Sequence, residues 1–146
     1  MSLITRIDRR GFLRSSSAFA VGTLAAPAIL RAQDGPIVLG HLTPRTGFLG
    51  PLGEYAVMAV DLAVEEINAA GGIDGRELRV IKEDSVNPQT ASTKAERMIE
   101  RDGVAAIIGE ISSASALTIA QTAERAKKLF INTGANSDAL RGSDCK

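Results

Sequence analysis

Short apolar runs alternate with longer segments of helical period along most of the chain. Ile37–Leu42 and Val104–Gly109 are continuous apolar runs, as expected of strands buried on both faces. Leu78–Ile81 and Leu129–Ile131 read as two further strands. Between the first two strands, Ala56, Val60, Ala63 and Ile67 recur at spacings of four, three and four, which predicts a helix from about Leu52 to Ala70 with these residues on one face. Gly71-Gly72 stops that helix, and Asp74-Gly75 marks a turn. Asn87-Pro88 predicts a second helix start, with Asn as cap and Pro at the first helical position. Its inward face is Ala91, Ala95, Met98 and Ile99, and Asp102-Gly103 ends it. Ser112 or Ser113 caps a third helix that turns Ala116, Ile119, Ala120 and Ala123 inward and carries Lys127 and Lys128 near its negative pole. The order β-α-β-α-β-α-β predicts an α/β fold, a doubly wound parallel sheet with helices on both faces.

The first 33 residues follow another pattern. Arg6, Arg9, Arg10 and Arg14 precede an Ala-rich apolar run from Ala18 to Leu30. That run falls short of the ~20 residues a spanning helix needs, and its layout fits a secretory signal. Arg9-Arg10-Gly11-Phe12-Leu13-Arg14 resembles the twin-arginine export motif, with Asp8 where Ser or Thr is usual. The motif rests on Arg9, Arg10, Phe12 and Leu13, and implies passage through the twin-arginine translocon to the periplasm with the signal cleaved. Cleavage falls near Ala28 or after Ala32, so residues 1–33 are set aside as leader and 34–146 as the folded part.

The remaining 113 residues hold 12 basic and 16 acidic groups, a formal charge of −4. That balance gives no footprint for nucleic acid. The chain has no Trp, and the single Cys145 has no partner for an internal disulfide. Packing of Ala, Val, Ile and Leu must hold the fold.

In open parallel sheets, ligands bind beyond the carboxyl ends of the strands. Those ends are Thr43–Leu52, Asp84–Asn87, Glu110–Ser115 and Thr133–Ser137, all rich in small polar residues. Ser112, Ser113 and Ser115 lie at a helix start, where amides and the dipole favour an anion such as a carboxylate. Ordinary caps and turns would carry the same residues. No nucleophile–base pair is visible, so no catalysis is expected. The only histidine, His41, sits within a strand as a packed or edge residue. Asp84 alone does not make a metal site. The glycines of Gly47–Gly53 match neither dinucleotide-binding nor phosphate-loop spacing. No cofactor is expected.

From Pro36 to about Asp144 the chain resembles the leucine/isoleucine/valine-binding substrate-binding proteins of ABC transporters. The resemblance rests on Gly40–Gly53, the stretch Ala63–Arg76 with its Asn68-x-x-Gly71-Gly72-Ile73-x-Gly75 core, Glu83-Asp84, Asn87-Pro88, Gly103–Gly109, Ser112–Ser115 and Ile131–Ser137. It implies two α/β lobes that close around a ligand delivered to permease subunits. It also implies a carboxylate bound by Ser113, with Ser112 and Ser115 beside it. The ligand's amino group would be held by Gly134 and Asn136, and a side-chain pocket lined by Phe48 and Leu52. Asn136 departs from the Thr found in many relatives. The ligand implied is an amino acid of branched-chain type or a related small carboxylate. The chain looks like the first half of the N-terminal lobe. A ligand-sensing receptor module on the same fold and an exported flavodoxin-like redox domain are the alternatives.

Overall fold

A computed structural model describes residues 35–142. The twin-arginine motif, the cleavage points and Cys145 lie outside these residues. Four parallel strands, β1 (Ile37–Thr43), β2 (Leu78–Asp84), β3 (Ala106–Gly109) and β4 (Leu129–Asn132), form one sheet in the order β2-β1-β3-β4. They alternate with α1 (Gly50–Ala69), α2 (Pro88–Glu100) and α3 (Ser113–Arg125), and a short 3-10 turn at Asp138–Arg141 follows. The doubly wound α/β reading therefore holds.

The strand order dictates the layers. The step from β1 to β2 runs one way along the sheet, and the steps to β3 and β4 run the other. Right-handed crossovers then send α1 to one face and α2 with α3 to the opposite face. Leu42, Ala91, Ala95, Met98, Val104, Ile107 and Ile119 form the buried core on the two-helix face, joined by Val38, Ile81, Ile99 and Phe130. Gly40 makes room there. A Cβ at Gly40 would stand 2.8 Å from the Met98 sulfur.

The local signals act as the sequence suggests at α2. Asn87 Oδ1 accepts from Thr90 N at 2.9 Å, and Pro88 occupies the first turn. α1 ends into Gly71 and Gly72, whose amides donate to Asn68 O and Ile67 O. Asn68 also clamps the helix to β2, exchanging two hydrogen bonds with the backbone of Leu78. β3 starts two residues later than the apolar run, because Val104 N still donates to Met98 O at the exit of α2.

α1 departs from its expected burial. Gly50, Gly53 and Val57 are its buried residues, whereas Ala56, Val60 and Ile67 are half-buried and Ala63 is exposed. The helix is apolar on several sides, so one period-3.6 stripe does not identify its inner face.

Candidate functional site

All four strands point their carboxyl ends to one edge, and the loops there are tied to one another. Asp84, at the end of β2, accepts from Arg45 N and Val86 N at 2.9 and 3.0 Å and from the Thr46 hydroxyl at 2.7 Å. Burial pushes its pKa up, but these hydrogen bonds outweigh it, and the carboxyl titrates below its usual range. Asp84 therefore organises the loop after β1. Arg45 pairs in turn with Glu54 of α1. Ser85 N bonds Thr43 O, which extends the β1–β2 ladder into the loops.

The loop after β3 turns on Glu110. Its backbone adopts the left-handed region (φ 70°), rare for a residue with a side chain. Its carboxyl Oε1 accepts from Ile111 N at 3.0 Å and Ser112 N at 2.8 Å. Ser112 takes the N-cap backbone position of α3, but its hydroxyl makes no capping hydrogen bond. The amides of Ser113, Ala114 and Ser115 form the first helical turn, where no intrahelical acceptor is available. Ala116 N is the first to bond back, to Ser112 O at 2.9 Å.

The loop after β4 is shaped by Asn132, whose amide side chain donates to Ala135 O at 2.8 Å and accepts from Ala135 N at 3.0 Å. Gly134 brings this loop against the previous one. A Cβ at Gly134 would lie 3.2 Å from Ile111 Cγ1 and 3.3 Å from Glu110 O. The expected ligand residues Ser113 and Gly134 thus sit in two loops in contact. Asn136 is exposed, and its carbonyl accepts from Arg141.

Other expected residues lie apart. Ser115 is buried, so a ligand at the loop surface does not reach it. Leu52 lines a cleft of about 480 Å³ together with His41, Ala56, Val60, Ile111 and Gly134. Phe48 is 98% exposed and is not among that cleft's lining residues. His41 is buried, and its Nδ1 has no hydrogen-bond partner among the described residues. Burial, then Lys82 and Arg45, lower its pKa against the opposing pull of Asp61, so the imidazole stays neutral at pH 7. Among the described residues, no group of three or more His, Cys, Asp or Glu is arranged to hold a metal ion. Glu110 and Asn132 escaped sequence reading. A carboxylate or amide at a strand's last residue or the one after it, just ahead of a small-residue loop, is the signal that could have found both.

The family model for periplasmic binding proteins matches residues 36–146. A Leu/Ile/Val-binding protein homolog of Brucella abortus is 34% identical over 123 residues, which span 84% of this chain and 30% of that protein. The branched-chain amino acid transporter substrate-binding protein LivJ of Streptococcus pneumoniae, solved with isoleucine, superposes with a TM-score of 0.71 at 28% identity. The match covers 75% of this chain and 32% of LivJ. An ABC-transporter solute-binding protein of R. palustris, solved with benzoate, gives 0.70 at 25% identity over 76% of this chain and 31% of its own. The chain spans less than a third of these relatives, and over that span it belongs to the periplasmic binding protein family.

Proposed function

We propose that this chain supplies part of the ligand site of a periplasmic substrate-binding protein that hands an amino acid or small carboxylate to the permease subunits of an ABC importer. The observation that supports this reading is the close approach of Gly134, in the loop after β4, to Glu110 and Ile111, in the loop that leads into α3. Ser113 donates its hydroxyl and amide to the ligand carboxylate. The Gly134 carbonyl and the Asn136 side-chain oxygen accept from the ammonium group. Hinged closure of two lobes buries the ligand, and no bond is made or broken. The relatives that match are named as binding proteins, one with isoleucine and one with benzoate, which bracket the ligand classes.

Export through the twin-arginine translocon places the protein in the periplasm. Replacing Arg9 and Arg10 by Lys should retain the precursor in the cytoplasm, read by fractionation and immunoblotting. Calorimetry tests the site with L-isoleucine and benzoate as probes. Ser113→Ala should weaken both, whereas Asn136→Ala should weaken isoleucine alone, because benzoate has no amino group. Unchanged isoleucine affinity when Ser113→Ala and Asn136→Ala are combined would falsify the assignment.

A further inference from the structure

We infer that Glu110 is a positioning residue of this ligand site, and that capture of a carboxylate at the Ser112–Ser113 turn draws a proton onto Glu110 Oε2. The inference rests on the proposed reading of Ser113 as the carboxylate ligand. Three observations carry it.

Glu110 is fully buried, and one of its oxygens is committed to the amides of Ile111 and Ser112. The carboxyl is therefore bound to the residue directly before Ser113. The second oxygen, Oε2, has no hydrogen-bond partner among the described residues. Ser85 lies beside the carboxyl, and its buried hydroxyl stands outside hydrogen-bonding geometry with any group among the described residues. A proton on Oε2 lets the Glu110 carboxyl and the Ser85 hydroxyl face one another without a buried charge. Finally, the backbone holds Glu110 in the left-handed region, a cost that persists where surrounding structure enforces it and that clusters at functional sites.

The neighbouring charges leave the carboxyl uncompensated. Asp84, at the end of β2, is a like charge and works against ionisation. Lys94 of α2 is engaged by Glu83 and by the Asp84 carbonyl. α3 carries no acidic residue in its first turn, and its Arg125 lies at the far end. His41 of β1 is neutral, and Asp138 and Arg141 beyond β4 pair with each other. Burial is the largest influence on Glu110 and raises its pKa, with the amides of Ser112 and Ile111 and the nearby Ser85 hydroxyl opposing it.

A ligand carboxylate arriving at Ser113 adds a second like charge close by. Its repulsion raises the Glu110 pKa further, so binding takes up a proton wherever the pH lies between the free and bound values. Below that window Glu110 is already neutral, and affinity is flat. Within it affinity falls as pH rises, by at most about tenfold per unit for one proton. Glu110 also disfavours a bare anion more than a zwitterion, whose ammonium group offsets the buried charge.

The test is calorimetric titration of the full chain with L-isoleucine from pH 5.5 to 8, repeated in buffers of different ionisation enthalpy. The wild type should lose affinity with rising pH and take up a fraction of a proton on binding. Glu110→Gln keeps the Oε1 acceptor without charge. It should bind with no proton uptake and without the wild type's loss of affinity as pH rises. Isoleucine binding by the wild type with a flat pH profile and no proton uptake overturns the inference and leaves the ligand reading standing. So does an unaltered slope in Glu110→Gln. If the wild type binds isoleucine at no pH, the ligand reading falls and takes this inference with it. The wild-type proton count decides the matter even if the variant does not fold.

Discussion

The two faces of the sheet are built to different standards. On one, α2 and α3 pack side by side, and the row Ile81, Gly40, Ile107 and Phe130 points into a core closed by Met98, Ala95 and Ile119. On the other, α1 alone crosses the sheet, and the row Lys82, His41, Ile108 and Ile131 is covered only in part. Ile131 there is 47% exposed, while Phe130 beside it packs against the core. α1 itself leaves Leu52, Tyr55, Met58 and Leu62 exposed. Stability is therefore concentrated on the two-helix face. The single-helix face holds the apolar cleft and reaches the loops at the strand ends.

Substitutions on the two faces can break this contrast. Met98→Ala removes a fully buried side chain from the closed core and should cost about 2–5 kcal/mol in urea unfolding. Phe130→Ala, on a half-buried partner of that core, should cost about 2 kcal/mol. Glu83 tests the rim of the same face, where Lys94 and Arg97 hold it. Burial raises its pKa, but the two cations outweigh it, and the folded value lies below the ordinary one. The pair's contribution is thus present above the unfolded value of about 4.3 and lost as pH falls through the folded one. Glu83→Gln should lose up to about 1 kcal/mol at pH 7 and show a shallower acid limb in stability against pH. The smallest effect belongs to the open face. Ile131→Ala should change stability by about 0.5 kcal/mol or less, because much of its surface already faces water. Equal losses at Phe130 and Ile131 would contradict the asymmetry.

The same contrast explains what the sequence made legible. Where both sides of a helix-strand contact are closed, as at Ala91, Ala95, Met98 and Ile119, apolar period and burial coincide. The caps at Asn87 and Gly71-Gly72 were readable because they are local, set by residues within a turn of each other. At α1 the period misled, since Ala56, Val60 and Ala63 border an open cleft while Gly53 and Val57 are buried. The topology brings the loops after β3 and β4 to one edge of the sheet, and Ser113 and Gly134 do lie in touching loops. Glu110 and Asn132 were not legible, because their role comes from side chains folding back on nearby amides, which no spacing rule reports. The resemblance implied a pocket lined by Phe48 and Leu52, and of the two only Leu52 borders the cleft, Phe48 being turned to solvent.

The central claim is that ligand is anchored by the loops at the strand ends, where they border the apolar cleft, rather than along the α1 side of that cleft. Amide chemical shifts of the labelled chain, followed by NMR during titration with L-isoleucine, test it directly. The account predicts the largest shifts at Ser113 and Ala114, at the start of α3. Shifts confined to His41, Val60 and Ala63, with those amides unmoved, would contradict it.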